Sequence, residues 1–219
     1  MLTRDYLMRM IETLARALAK LIFLKDAKNY PEALKELNSV TKKLLGIDRT
    51  FINNLSNEQL FNIIDPDKKL IAPKSYLLGV VLKEESEIYE LQGDEDTSVK
   101  LYQRSLYMFL TGIEFSNKII EEDHLKKIET IIDKLKDYEI PQDLQVKLFR
   151  FYEFTRKYDK AEDMLYELIE KDSKFTSEGI QFYERLLDKS EEELIKGNLP
   201  NAEVEEGLIN LKEKLNGTS

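Results

Sequence analysis

The chain has 219 residues, of which 42% are hydrophobic and 34% charged, with no Cys, a single His and a formal net charge of −9. Its mean hydropathy is −0.44, a balance that buries a core, while the missing Cys and lone His exclude disulfides, thiolate metal sites, cysteine nucleophiles and multi-His centres. Eight Gly and five Pro leave too few tight turns for an all-β fold, so a mostly helical protein is expected.

The first predicted element is amphipathic. Leu7, Ile11, Leu14, Leu18 and Leu21 recur at steps of 4, 3, 4 and 3, flanked by Met10, Ala17 and Leu24, which predicts a helix from Thr3 to Asp26. This stripe is wider than one neighbour covers. Internal cover by the helix after Pro31 and by the Ile47–Pro73 segment is expected, with a homodimer through the same helix as the alternative. Asp5, Arg9, Glu12, Arg16 and Lys20 interrupt the segment, and its longest strongly apolar run, Leu21 to Leu24, is far too short to span a bilayer. The segment therefore reads as mature protein, cytoplasmic and without a membrane contact.

Pro31 suits the first turn of a second helix that runs to Leu45, and Gly46 suits its left-handed cap. Ser56 and Gln59 form a capping box for a short helix that closes before Asp65-Pro66. From Pro73 a helix carries Leu77, Val81, Leu82, Ile88 and Tyr89 to Gly93, and the next, with Leu101, Tyr102, Leu106, Phe109 and Ile113, runs toward Ile120. Further helices hold Leu125 to Leu135, Leu144 to Tyr152 after Pro141, Ala161 to Leu168, Ile180 to Leu187, and Ala202 to Leu215 after Pro200. The expected total is nine or ten. With no linker between them, one domain over residues 1–219 is expected, its helix hairpins near 3–45, 73–120, 141–171 and 176–215, with extra helices near 56–72 and 123–136.

A phrase recurs at the turns: Lys28-Asn29-Tyr30-Pro31-Glu32-Ala33, Gln92-Gly93-Asp94 through Ser98, Arg156-Lys157-Tyr158-Asp159-Lys160-Ala161, and Gly197-Asn198-Leu199-Pro200-Asn201-Ala202. Around the second turn, Ser86, Tyr89, Gly93, Ser98, Tyr102 and Ser105 follow at steps of 3, 4, 5, 4 and 3. That spacing resembles the tetratricopeptide repeat, in which small residues stand where two helices cross closely and aromatics fill the notch between them. The copy at Arg156 departs by lacking the turn Gly, and the small residues at 33, 98, 161 and 202 do not keep a 34-residue period. Together with Arg4-Asp5-Tyr6-Leu7-Met8-Arg9-Met10-Ile11-Glu12 and Leu44-Leu45-Gly46-Ile47-Asp48, these features look like an uncharacterised bacterial family of tetratricopeptide-like proteins. The resemblance implies an all-α, antiparallel helix-hairpin stack, an α-solenoid, and it supplies no catalytic residues. Ala33, Ser98, Ala161 and Ala202 are then expected at close crossings.

Little in the sequence points to catalysis. Glu121 and His124 have the spacing of half a di-iron site, but no second His exists to complete one, so His124 reads as a helix-start residue. Asp94, Glu95 and Asp96 lack the alternating ligands of a calcium loop and suit a helix N-terminus. Glu84, Glu85, Glu87, Glu90 and Glu191, Glu192, Glu193 read as solvated faces. No phosphate loop, nucleophile elbow or His-Glu-x-x-His motif occurs, so no enzyme activity, cofactor or metal is expected.

Charge bears on partners. Residues 1–60 hold ten Lys/Arg against seven Asp/Glu, and residues 61–219 hold 23 against 35, an acidic body that repels phosphate backbones, so nucleic acid is not expected. If the repeat holds, first helices line a groove, with Val80, Lys83, Glu87 and Glu90 in one pair and Asp143, Val146, Arg150 and Glu153 in the next. Their alternating signs suit a mixed-charge helix or peptide. The expected function is a non-enzymatic module or scaffold that binds a protein or peptide. The alternative is a ligand-responsive regulator or enzyme with an inter-helix pocket near Tyr89 and Tyr102.

Overall fold

The computed structural model describes residues 2–67, 69–116 and 121–217. Among them the chain forms twelve α-helices and one 3-10 turn, with no strand. The helices are α1 (Leu2–Asp26), α2 (Tyr30–Leu45), α3 (Arg49–Asn53), α4 (Asn57–Ile64), α5 (Ile71–Gln92), α6 (Glu95–Glu114), α7 (Glu122–Leu135), α8 (Gln142–Phe154), α9 (Tyr158–Lys171), α10 (Thr176–Leu187), α11 (Glu191–Lys196) and α12 (Asn201–Gly217). The fold class is all-α, as expected, but the count exceeds nine or ten. The two unforeseen helices, α3 and α11, span only five and six residues, less than two turns and too short for an apolar period to register. Each is marked instead by its cap: Asp48 accepts the N–H of Thr50, and Ser190 accepts that of Glu193. The sixth helix stops at Glu114, with Phe115 and Ser116 beyond its end, and residues 117–120 of the expected continuation to Ile120 lie outside the described residues.

The chain divides into two compact units, Met1–Glu139 and Ile140–Ser219. In the first, α1, α2 and α5 share a core of Leu21, Leu24, Ala33, Leu37, Val81 and Ile88, edged by Leu18, Tyr30 and Leu34. The buried seam of α1 is Met10, Leu14, Ala17, Leu21 and Leu24, whereas Ile11 stands 58% exposed. The predicted seam from Leu7 to Leu21 is thus displaced around the helix. Two apolar stripes run side by side on α1, and periodicity alone does not choose the inward one.

The α5/α6 hairpin closes through small residues. A Cβ added to Gly79 would come within 2.9 Å of the Phe109 ring. Ser105 Oγ donates to the Gly79 carbonyl at 2.7 Å, and Ser86 Oγ to the Ser98 carbonyl at 2.6 Å. These two hydroxyls satisfy themselves on the facing backbone, so the helices approach there without leaving either unpaired, whereas Ser75 Oγ of α5, near Gly112, is buried with no hydrogen-bond partner among the described residues. In the second unit α8 packs on α9 and α10 on α12, around Leu148, Phe149, Leu165, Phe182, Tyr183 and Leu211. Phe149 and Phe182 meet edge to face, with ring centroids 5.3 Å apart.

Four turns share one hydrogen-bond pattern. Lys28, Gly93, Arg156 and Asn198 are left-handed, at φ 54°, 78°, 59° and 56°. Each donates its N–H to the carbonyl three residues back, at 2.9–3.1 Å, and the following residue donates to the carbonyl five back, at 2.8–3.1 Å. This is the helix-ending motif in which a left-handed residue turns the chain and satisfies the last carbonyls. In the first three turns the fifth residue onward is Ala33, Ser98 or Ala161, all buried. Each donates to the carbonyl four back, at 3.0–3.1 Å. The fourth turn differs because Asn198, and not Gly197, is left-handed. That places Ala202 four residues on, where it is exposed, while Val204 is buried. The close approach expected at Ala202 is made by Gly207, where an added Cβ would collide with the Tyr183 ring.

Candidate functional site

On α5 the charged residues of the sequence stripe converge with Lys25 of α1, a residue that no sequence pattern singles out. Lys25 Nζ lies 2.8 Å from Glu84 and 2.7 Å from Glu87. Lys83 also bonds Glu87 and lies 3.4 Å from Glu84. Burial works against charge here, depressing the Lys25 ammonium and raising the Glu87 carboxyl. Their mutual hydrogen bonds outweigh it, holding Lys25 above and Glu87 below their ordinary values. Two cations thus offset two carboxylates, an arrangement that pins α1 to α5. Glu90 accepts from Tyr102 Oη at 2.8 Å and pairs with Lys134 at 2.5 Å. Burial and that bond raise the Tyr102 hydroxyl above its usual range.

The expectation that Glu84, Glu85 and Glu87 are solvated does not hold. Glu85 is 0% exposed and accepts from Arg49 Nη1 at 2.8 Å. The nearby Arg104 guanidinium donates to the carbonyls of Ile52 and Leu55, both at 3.0 Å. Burial lowers Arg104, and the charge of Glu85 opposes that fall. This buried polar knot ties the α3 segment to α5 and α6. A signal for it was present: Leu78, Leu82 and Glu85 follow at steps of 4 and 3, which sets the carboxylate on the core stripe. Val80, expected beside a groove, is buried.

His124 lies in the first turn of α7, packed on Tyr76 with ring centroids 4.0 Å apart and the rings tilted by 33°. Burial holds its imidazole below the usual value, and Glu121, 3.8 Å away, opposes that. Among the described residues no group of three or more His, Asp or Glu is placed to hold a metal ion. Asp94 caps α6 by accepting the Thr97 N–H, as expected of that acidic turn.

In the second unit, Asp143, Arg150 and Phe154 stand on the outward side of α8, and Val146 and Glu153 are half-buried beside them. Asp143 accepts its neighbour's N–H, from Leu144, at 2.9 Å. Glu153 takes a two-pronged bond from Arg185 at 2.7 and 2.9 Å. Arg150 makes no ion pair among the described residues, and Phe154 is 61% exposed. The tyrosine clusters carry no sequence signal of their own. Tyr183 donates to Glu162 at 2.5 Å, and burial raises that carboxyl. Tyr158 donates to Glu193 at 2.8 Å, its hydroxyl pushed up to about 12 by burial and that bond.

No helix among the described residues is long and apolar enough to cross a membrane. No curated protein and no solved structure matches the chain. A family model does match, over residues 1–216, nearly the whole length that forms these two units, and the chain belongs to that family, the family of unknown function DUF6483.

Proposed function

We infer that the chain is a non-enzymatic interaction module of tetratricopeptide-like hairpins, and that a protein or peptide partner docks on the outward face of α8. One observation carries the docking face. Asp143, Arg150 and Phe154 put on one side of a helix an exposed aromatic, a carboxylate and an arginine whose charge is not taken up among the described residues. Aromatics and arginines dominate the energy of protein contacts, because each offers a large apolar area with a directed polar edge. Both signs lie on the face, so a mixed-charge helix or peptide suits it better than a carboxylate terminus or a phosphate chain. The tetratricopeptide likeness rests on the shared turn and on the small residue five positions after it in three of four copies.

The test compares the wild-type chain with Arg150→Glu/Phe154→Ala as bait in extracts of the native host, read by quantitative mass spectrometry. A partner enriched on the wild type and lost on the folded variant supports the reading. If no partner enriches while a small molecule raises the melting temperature of the wild-type chain, the module reading falls and a ligand-responsive protein replaces it.

A further inference from the structure

The two units answer their inward carboxylates in opposite ways. Against α5, Glu84 and Glu87 are met by Lys25 and Lys83. In the second unit Glu162 stands half-buried on the edge of α9 that faces α10, and the charges that act most on it are all negative: Asp159 and Asp163 on its own helix and Glu203 on α12. Its bonding partner is neutral. Tyr183 of α10, fully buried, donates to it at 2.5 Å and lies 3.3 Å from the hydroxyl of Tyr166, one turn along α9. The ring of Tyr183 also fills the notch at Gly207 of α12, and Glu203 lies one turn before that glycine, on the same side of its helix. Tyr183 thus joins three helices at a point where two of them bring carboxylates together. The cations of the surrounding elements are engaged elsewhere. Along the other side of α9, α8 sets its Tyr152 ring under Lys160 and bonds Glu167 and Lys171 through Gln145. On α10, Arg185 pairs with Glu153, and Glu184 with Lys212 of α12. Around α11, Arg156 and Lys189 lie by Glu193, and Asn198 donates to Asp159. Below α9, Lys174 pairs with Asp172.

We propose that this junction is an acid-tightened latch, in which Glu162 takes up one proton as the medium acidifies and α12 is thereby held more firmly against α9 and α10. The proton lifts the opposition of Glu162 to Glu203, Asp159 and Asp163. The carboxyl oxygen left unprotonated still accepts from Tyr183, so the contact sheds a repulsion and keeps its hydrogen bond. Burial and those three charges hold the carboxyl above its ordinary 4.5 in the folded chain. Stability from such a group rises as pH falls through the raised value and is level below 4.5, where the unfolded chain takes up the proton as well. Carboxylates held below their ordinary values, such as Glu87 and Glu193, weaken their contacts only below that ordinary 4.5. Between neutral pH and that value the latch therefore tightens before they loosen. It uses neither Arg150 nor Phe154, and it stands or falls apart from the α8 face.

The test is amide hydrogen exchange of the full chain, read by mass spectrometry at about pH 7.5 and about pH 5 and corrected for the intrinsic pH dependence of exchange. Protection in α10 and α12 is expected to rise at least about threefold on acidification. Glu162→Gln keeps an acceptor for Tyr183 without the charge, and it is expected to show the high protection at both pH values. Glu203→Gln, at an exposed position, is expected to raise protection at the higher pH and to shrink the rise. Wild-type protection in α10 and α12 that stays level or falls on acidification overturns the proposal. So does a rise that persists undiminished in folded Glu162→Gln, because the proton is then taken up elsewhere. If Glu162→Gln fails to fold, Glu203→Gln decides: a smaller rise supports the latch and an unchanged one overturns it.

Discussion

Ser98 and Ala202 are both small residues near the start of the second helix of a hairpin, and both follow a turn that contains glycine. Ser98 is buried, with its carbonyl bonded to Ser86, and Ala202 is exposed. The two turns differ in which residue is left-handed, and counting on from it does not restore a buried position at the second, since Glu203, five after Asn198, is exposed too. At the first turn the left-handed residue is Gly93 itself, and at the second it is Asn198, the residue after Gly197. A left-handed residue sets where the next helix begins, but each residue advances the helix by about 100°, and in the last helix the stripe that faces the core falls at Val204, Gly207 and Leu211. Glycine at a turn is therefore not a sufficient mark of the left-handed site. Gly197 has another role, since a Cβ there would collide with the ring of Tyr158. The space its missing side chain leaves is filled by the tyrosine.

The strongest way to break this comparison is to enlarge the small residues. Ala161→Leu, at a fully buried crossing, is expected to cost about 1–3 kcal/mol through overpacking, read as a fall in thermal midpoint. Ala202→Leu, on the exposed side, should change stability by less than about 0.5 kcal/mol. Equal losses in the two variants would show that Ala202 is packed as tightly as Ala161.

A smaller effect is expected from exchanging the turn residues themselves. Gly93→Ala places a Cβ in the left-handed region and should cost about 1 kcal/mol, although nothing lies within 4 Å of it. Arg156→Gly relieves the same strain at φ 59° and should gain about 0.5–1 kcal/mol. Its ion pair to Glu193, at 3.6 Å and largely exposed, offsets little of that gain. Denaturant midpoints with unchanged slope check both.

A comparable effect, dependent on pH, separates the two hairpins by charge. The first is fastened to α1 by Lys25 and Glu87, and Glu87 is held below its ordinary 4.5. Its contribution is therefore full above that pH and is lost as pH falls through the depressed value. Lys25 is held above its ordinary 10.5, so its share is full below that pH and lost only as pH rises beyond it. Glu87→Gln should lower stability by about 1 kcal/mol at pH 7, with the loss shrinking below about pH 4. Thermal midpoints of the two proteins across about pH 3–8 would converge at the acid end.

The groove residues divide in the same way. Asp143 and Arg150 are legible as exposed charges because the apolar residues of α8 fall on one side of it. On α5, Lys83 and Glu87 are legible as a charged stripe but not as mutual partners, because Lys25 arrives from a helix about sixty residues earlier in the chain. Glu85 is hidden by its acidic neighbours, which suggest a wet face, although its step from Leu82 places it with the core.

By itself the sequence determined the helical class, the long helices, the caps at Gly46 and Ser56, and the places where the chain turns. Those features follow from interactions within a few residues: apolar period, capping hydrogen bonds, and glycine or proline at a helix end. Tertiary structure decided which stripe of α1 faces inward, that Glu85 is buried against Arg49, and that Gly207 replaces Ala202 at the last crossing. Those outcomes depend on what a distant helix presents. A helix with two apolar stripes, or a carboxylate whose arginines come from other segments, is resolved only when its neighbours are in place.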